Sequence, residues 1–594
     1  MLGEKKPSPV SMSTLMQRDP GLKAAGSRER FEVRFNEEEK DCPTYLWTFL
    51  ILVAAYCAWV FSLPLFPTQD DAMHLYYTGV VRHLLSHSST FNAAYLIRIP
   101  PPPYIVHYLL LLLFTSFVNA VLAEKCLVCL ILISTAFGFR FLSKAVGRHG
   151  GLMALWIVPV ILSWPLFMGF HNYCLGLSFS LWGYGIWLRA RGTNKRKLWT
   201  VFLLIVVLVL FTHPVPLLFL LGITLLDLTV RVFQEKSTGK ATWNAIAGRM
   251  KWDIACSLIG CLALFYTSLF IEKNMAGRVL PIHISRWEML SGFARLQWMC
   301  FGTGGLSTKL YRIGLYGALA LGFALGIQRF RARPTTRRGV TAEPLLIAAL
   351  FLMIVLPFLP PNMNGSEHFA DRLPILVWIC VLAAASSAAR LNPAARNAIA
   401  VFGFVFSVTT LAFADRLIRP AASDIARIER VPVTKHKMGL LLDGPTQVQD
   451  DRLTFNPYLR WVGGRYFRRS DAVLLNAPWL SPPFPLPIQR RQNRFTSEFS
   501  PLDLLDPATL HNRLMNSAAD RESLLSSVDV LLFIGKPQQG PSPDPLLTLD
   551  AARRWKCTAS EWYFVCERTQ QGFSSTLASA SMPRSQHRRV ETSR

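Results

Sequence analysis

The chain is 594 residues long, 51% hydrophobic and 17% charged, with a mean hydropathy of +0.29 and a formal net charge of +26. A water-soluble globular protein of this length would carry more charge and fewer continuous apolar runs, so that class is excluded. The positive charge would suit nucleic acid, but many basic residues sit in short loops between apolar runs, as in "RARGTNKRK" (189–197) and "RFRARPTTRR" (329–338). That distribution is the positive-inside pattern of a polytopic membrane protein, not a nucleic-acid face.

In chain order, residues 1–44 are polar, with both signs of charge interspersed and no secretory signal, and read as a cytoplasmic segment. The first span, "YLWTFLILVAAYCAWVFSLPLF" (45–66), delivers "PTQDDAMH" (67–74) to the other side. Basic loops at 140–150, 189–197, 231–251 and 329–338 are placed in the cytoplasm. Apolar runs near 126–142, 151–168, 173–190, 198–212, 215–232, 252–271, 310–328, 343–360, 373–389 and 397–414 then alternate correctly. The expectation is an α-helical polytopic domain over 45–414 with about eleven transmembrane helices. The run "YIVHYLLLLLFTSFVNAVLA" (104–123) would invert every later loop if it crossed. It is expected to be an interfacial helix within an outer loop 67–123, introduced by Pro100-Pro101-Pro102-Pro103. The alternative starts the chain outside, keeps about twelve spans and puts the acidic pair in the cytoplasm.

After 414 the apolar runs shorten to strand length: "MGLLLDG" (438–444), "DAVLLNA" (471–477), "VDVLLFIG" (528–535) and "EWYFVCE" (561–567). With the helix-compatible stretch 506–527 between them, they suggest a small extracytoplasmic α/β domain over 415–569, reached in part through the Pro-rich "SPPFPLPIQRR" (481–491). Residues 570–594 are Ser- and Arg-rich and read as disordered. Cys557 and Cys566 flank "TASEWYFV"; in an oxidising compartment they could close a hairpin as a disulfide, the other reading being two free thiols in a small core. "CLVC" (126–129) lies in an apolar helix without a second pair and is not a metal site.

The first loop carries the densest chemistry. If 70–85 is helical, Asp71, His74, Thr78 and Arg82 share one face, and Asp70, His74 and Tyr77 another. Two adjacent carboxylates near an apolar interface repel each other, so the pKa of one should rise. Such a group can take a proton from a weak nucleophile, or the pair can hold a divalent cation such as Mg or Mn. The structural reading is that one of them simply caps the helix. His171 in "FMGFHNYCLG" and His213 in "FTHPVP" fall on the same side, as do Arg278, His283, Arg286, Arg295 and Lys309 of the loop 272–309. Outward cations would suit a phosphate or pyrophosphate substrate; the loop could equally be solvated or touch lipid headgroups. "GSEHFADRL" (365–373) adds Glu367, His368, Asp371 and Arg372. No Walker motif, GxGxxG, HExxH or GxSxG is present, and no motif fixes a cofactor.

One N-terminal span, an outward acidic pair opening the first loop, an interfacial apolar segment, many further spans and a C-terminal extracytoplasmic domain resemble the GT-C superfamily of membrane glycosyltransferases. Relatives include the protein O-mannosyltransferases, the aminoarabinose transferases of lipid A and the oligosaccharyltransferase catalytic subunits. "DDAMHLYYTGVVRHL", "AEKCLVCLILISTAFGFRFL" and "FMGFHNYCLGLSFSLW" also look like segments of bacterial multi-pass proteins placed near that superfamily. The resemblance implies that Asp70 or Asp71 serves as general base or helps bind metal. A WWDYG-like motif is absent from the tail, so peptide glycosylation is not implied.

The function expected on this basis is a glycosyltransferase of the cytoplasmic (inner) membrane. It would move a sugar from a polyprenyl-phosphate donor to a lipid, glycan or protein hydroxyl at the extracytoplasmic face. Asp70, Asp71 and His74 are its candidate catalytic residues; Arg82, His171, His213, Arg278, Arg286, Asp371 and Arg372 are candidates for substrate binding. Its partners would be the lipid-linked donor and membrane lipids, with no nucleic acid. The rival is a non-enzymatic transporter or assembly subunit for a lipid-linked envelope polymer, whose charged residues line a cavity.

Overall fold

The computed structural model describes residues 42–97, 103–191, 195–237, 250–275, 285–302, 305–331, 342–359, 369–388, 391–433, 462–474 and the short stretches 438–443, 488–490, 528–534, 555–559 and 563–568, with a few isolated positions besides. Nearly all of the expected N-terminal segment 1–44, the stretch 506–527, the tail 570–594 and the site candidates Arg278, His283, Glu367 and His368 lie outside the described residues.

Every apolar run in the membrane domain forms helix. In chain order these are α1 (Pro43–Ser62), α2 (Asp71–Leu85), α3 (Ser89–Ala94), α4 (Val106–Phe114), α5 (Ala120–Val146), α6 (Gly150–Ile161), α7 (Trp164–Phe167), α8 (His171–Ala190), α9 (Arg196–Leu210), α10 (Pro214–Ser237), α11 (Lys251–Met275), α12 (Arg286–Ala294), α13 (Gly305–Arg331), α14 (Glu343–Val355), α15 (Pro374–Ala385) and α16 (Pro393–Ala426). Among the described residues, six helices are long and apolar enough to cross a membrane: α1, α5, α10, α11, α13 and α16. The expected number was higher, and the difference has local causes. The run 151–168 carries Pro159 inside α6, leaves the helix at Ser163 and restarts as the four-residue α7 with Pro165 in its first turn. Helices α9, α14 and α15 have 15, 13 and 12 residues, short of the ~20 a perpendicular span needs.

The outer helices expose large apolar side chains: Leu258, Leu262 and Phe265 on α11, Leu310 and Ile313 on α13, Val401 and Phe402 on α16. Such continuous apolar surface fits hydrocarbon, not water. By contrast α15 is buried along its whole length, as a helix apolar all round should be. The helices are tied at the basic-loop end by a buried ionic knot. Asp227 of α10 accepts from Trp187 (2.8 Å), Arg191 (2.5 Å) and Arg231 (3.1 Å), and Arg231 reaches Asp253 of α11 at 2.5 Å.

The segment 104–123 is not one helix. Its helical part, α4, has nine residues, about 14 Å at 1.5 Å per residue, and cannot span the ~30 Å core. Turns follow, and Asn119 caps α5 by accepting from the Leu122 amide at 2.9 Å.

Past residue 414, where the apolar run ends, α16 continues to Ala426. Arg419 there binds Asp415 and the end of α1 at Ser62. The tail then builds a five-stranded sheet from β2 (Met438–Asp443), β3 (Val473–Leu474), β5 (Val530–Ile534), β6 (Trp555–Ala559) and β7 (Tyr563–Arg568), in the order β3-β2-β5-β7-β6. β2 pairs in parallel with β3 and β5; β7 runs antiparallel to β5 and β6. The four strand-length runs are four of these strands, and a short helix, α17 (Gly463–Arg469), precedes β3. Cys557 lies directly across from Cys566 in the β6–β7 pair, and Cys566 is disulfide-bonded.

The tail touches the first loop at several places. β1 (Tyr95–Ile97) pairs antiparallel with β4 (Ile488–Arg490). Tyr76 donates to the Ala472 carbonyl (3.2 Å) and accepts from the Leu474 amide (2.7 Å), and Tyr95 donates to the Leu474 carbonyl at 3.0 Å. The loop between α1 and α5 and the C-terminal sheet therefore lie at the same end of the bundle, away from the Asp227 knot.

This shared side can be read in membrane vesicles, in a background with the exposed Cys42 and Cys261 replaced by serine. Ser86→Cys in the first loop and Lys556→Cys in β6, both at exposed positions, should react with an impermeant thiol reagent from the same side. Labelling from opposite sides would break the pairing of loop and tail.

Candidate functional site

The carboxylate pair stands where two loops lock together. Gln69 donates its amide to the Phe167 carbonyl (3.1 Å), and Phe66 stacks on Phe167 with ring centroids 5.5 Å apart. Gly169 turns the second loop at φ +85°, a left-handed conformation that favours glycine. A Cβ there would also lie 3.1 Å from the Asp70 amide nitrogen and 3.2 Å from that of Asp71. The loop then enters α8 at His171.

Neither aspartate caps α2: Asp70 occupies the N-cap position without a side-chain cap hydrogen bond, and it is Thr68 Oγ1 that accepts from the Asp71 amide, at 3.2 Å. Adjacent positions at a helix start point about 100° apart, and the two carboxylates face different partners. Asp71 is fully buried. Its Oδ1 is 3.2 Å from His171 Nδ1, within ion-pair distance but outside hydrogen-bond alignment, and its Oδ2 is 3.9 Å from Arg465 Nη2. Arg465, 2% exposed, donates to Glu124 Oε2 at 2.5 Å and reaches Glu429 at 3.4 Å. Burial works against the charge of Arg465, but Glu124, Glu429 and Asp71 more than offset it and raise its pKa.

Asp70 instead shares the field of Arg372, whose other charged neighbour is Asp371. The Arg372 guanidinium lies 3.9 Å from the centre of the Phe170 ring and donates to His213 Nε2 at 2.7 Å. Burial first, then the Arg372 charge, pushes the His213 imidazole well below its usual pKa, leaving it a neutral acceptor. Between the two halves sit His74, His107 and Tyr108. His74 Nδ1 is 2.8 Å from the Tyr108 hydroxyl and 3.4 Å from His107 Nε2. Burial, then His171, holds the His74 pKa at about 3; burial, then His74 and His171, holds His107 well below 6.5. The Tyr108 hydroxyl is pushed well above its usual value by burial, then by Asp70 and Asp71, and remains a neutral donor.

Asp70, Asp71, His74, His171, His213, Asp371 and Arg372 thus gather at one end of the bundle. Arg82 does not join them: it sits eleven residues along α2 from Asp71, about 16 Å at 1.5 Å per residue, is exposed, and donates to Thr115 Oγ1 at 2.9 Å. Arg286 opens α12 at an exposed position, and Arg278 lies outside the described residues. Residues not anticipated are Glu124, Arg465, Tyr108 and Glu429. Glu124 had a signal, since an ionisable residue opening an apolar span marks function by default. Its neighbour Lys125 faces elsewhere, donating to the carbonyls of Phe61 and Leu63 at the end of α1. Among the described residues, no three His, Cys, Asp or Glu side chains converge at metal-binding range.

No protein-family model matches the sequence, and no curated protein matches it. Among solved structures the chain is similar to the arabinofuranosyltransferase AftD from Mycobacteria, with a TM-score of 0.49 and 14% identity over 88% of this chain and 40% of that one. It is also similar to ArnT from Cupriavidus metallidurans in the apo state, with a TM-score of 0.49 and 13% identity over 88% of this chain and 97% of that one. The chain spans about two-fifths of the length of AftD. Likeness of this degree carries neither a residue role nor an activity across. The structure itself defines a multi-pass helical membrane protein with a buried carboxylate, histidine and arginine cluster at one end.

The buried neutral imidazoles set a pH dependence of stability. The folded protein leaves His74, His107 and His213 unprotonated well below 6.5, whereas the unfolded chain takes up protons as pH falls through about 6.5. Stability is therefore complete above about 6.5 and declines below it, by about 1.4 kcal/mol per pH unit for each proton the unfolded state gains. The Tm of detergent-purified protein should drop between pH 7.5 and pH 5.5, and His107→Gln should flatten that drop. A Tm independent of pH over this range would contradict buried neutral histidines.

Proposed function

We propose that the protein is a membrane glycosyltransferase that moves a sugar from a polyprenyl-phosphate donor to an acceptor hydroxyl, in the cytoplasmic membrane and at its extracytoplasmic face. The observation that carries this reading is the division of the acidic pair. Asp70 and Arg372 share a field and each keeps 8% of its surface open, while Asp71 keeps none. A base and a cation within each other's electrostatic reach, each keeping a little open surface, support group transfer from a phosphate.

In this mechanism the acceptor oxygen attacks the anomeric carbon while Asp70 takes its proton. The bond from that carbon to the phosphate oxygen breaks, and its electron pair stays on the lipid phosphate, whose growing charge Arg372 stabilises. His213, neutral and tied to Arg372 at 2.7 Å, orients the guanidinium. His74 and Tyr108 present neutral donors and acceptors beside the carboxylates and order the acceptor without competing for charge. Asp71, closed off with His171 and Arg465, fixes the first turn of α2.

The test is transfer from a polyprenyl-phosphate-linked sugar in proteoliposomes. Asp70→Asn should fold normally, since its side chain makes no cap, and lose roughly 10²–10⁴-fold in rate. Arg372→Gln should lose roughly 10²–10³-fold. Asp71→Asn should also lower the Tm, because it takes a partner from a buried guanidinium. Wild-type transfer by Asp70→Asn would end the base assignment. No transfer by the wild-type protein from any polyprenyl-phosphate sugar, with lipid-linked polymer moved instead, would favour the transporter reading.

A further inference from the structure

We infer that Arg465, carried in by the C-terminal domain, is a positioning residue for the outer site: its guanidinium lies against both Asp71 and Glu124 and holds them in place, so the site is complete only when that domain is docked. The inference deepens the proposed function and rests on it for its activity arm alone.

Two independent features bring Arg465 to this place. One is backbone approach. Gly464 lies against the first turn of α2 so closely that a Cβ would fall 2.5 Å from the Ala72 carbonyl oxygen, and one on Gly463 would fall 2.4 Å from Leu441 of β2. Gly464 meets backbone that cannot give way, and Gly463 meets leucine side chains, so α17 fits between the sheet and α2 with glycine at 464. The other is the fastening around it. Arg469 donates to the carbonyls of Ile428 (2.8 Å) and Val431 (2.6 Å), and His83 meets Asp471 at 3.1 Å. Arg465 therefore enters a closed space from a domain held on both sides.

What it meets there is an excess of carboxyl groups over guanidinium groups. Asp71 and Glu124 face each other, and both lie against the same guanidinium. Glu429 has further cations of its own in Arg468 (4.0 Å) and Arg469 (3.8 Å). The other groups around Asp71 do not replace Arg465. His171 of α8 is a buried imidazole, His74 of α2 a half-buried one held neutral, Tyr108 of α4 a neutral phenol, and Asp70 adds charge of the same sign. With Arg465 withdrawn, two buried carboxyl groups would confront each other without the cation that lies against both. The first turn of α2, with Asp70 in it, would then lose its electrostatic anchor.

A hydrophobic carbodiimide, which modifies protonated carboxyl groups in apolar surroundings, reads this directly in the full-length protein. Labelling of Asp71 is followed by mass spectrometry across pH, and limited proteolysis reports whether the tail is docked. Arg465→Gln should raise labelling of Asp71 at pH 7 about tenfold, because the cation facing the two carboxyl groups is gone. Arg465→Lys should raise it less. Gly464→Ala, which leaves every charged group intact but pushes against Ala72, should move it in the same direction by lifting the domain. In transfer assays Arg465→Gln should lose roughly 10²-fold, the scale of a misplaced reacting group, and Arg465→Gln/Glu124→Gln should recover docking but not the full rate. An unchanged labelling profile at Asp71 in Arg465→Gln, docked or undocked, would overturn the inference. So would full rate recovery in the double variant, which would make Arg465 a counter-charge to Glu124 only. If the wild type transfers no sugar, the proposed function fails while the labelling arm still decides the role of Arg465.

Discussion

The sharing of one buried guanidinium between Asp71 and Glu124 is the interaction on which the end of the molecule opposite the basic loops depends. Three separate parts of the chain meet in it: the loop after the first helix, the start of the long helix α5, and the C-terminal domain. A buried ion pair of this kind adds little net stability over apolar packing, because desolvation cancels most of the attraction, yet losing one partner is expensive. Its effect is therefore on geometry more than on overall stability. It fixes where the domain sits on the bundle and how the first turn of α2 is aimed, and Asp70 inherits its position from that turn.

The two ends of the bundle use the same device differently. At the basic-loop end, Asp227 is surrounded by Trp187, Arg191 and Arg231, and Arg231 passes on to Asp253, so carboxylates and guanidinium groups balance. That knot is a strut. At the opposite end Asp71 and Glu124 are two carboxyl groups against one guanidinium, and among the described residues no second cation completes the pairing as it does in the knot.

Much of this was legible in the sequence, and the remainder was hidden for definable reasons. Hydrophobic runs located the long helices of the membrane domain because burial and lipid exposure both demand apolar residues, and four of the five strands of the tail's sheet followed from short apolar runs. Length was harder to read, since Pro159 and Pro165 divide a run that hydropathy alone leaves whole. The convergence of Asp70, Asp71, His74, His171 and His213 was anticipated from their common side of the membrane. Arg82 shows the limit of periodicity, which gives a direction around a helix but ignores distance along it. Arg465 was out of reach: "GGRYFRR" has no motif and no period, and the value of its two glycines exists only in the presence of α2 and β2, far away in sequence.

That separation has a consequence in time. The carboxylates of Asp71 and Glu124 are made and inserted early, whereas the residue that neutralises them belongs to a segment synthesised after the last helix of the bundle. Until that segment emerges, Asp71 and Glu124 lack the guanidinium that lies against both of them in the folded protein. A chain that stops short of Arg465 would keep the helices of the bundle and never gain that cation.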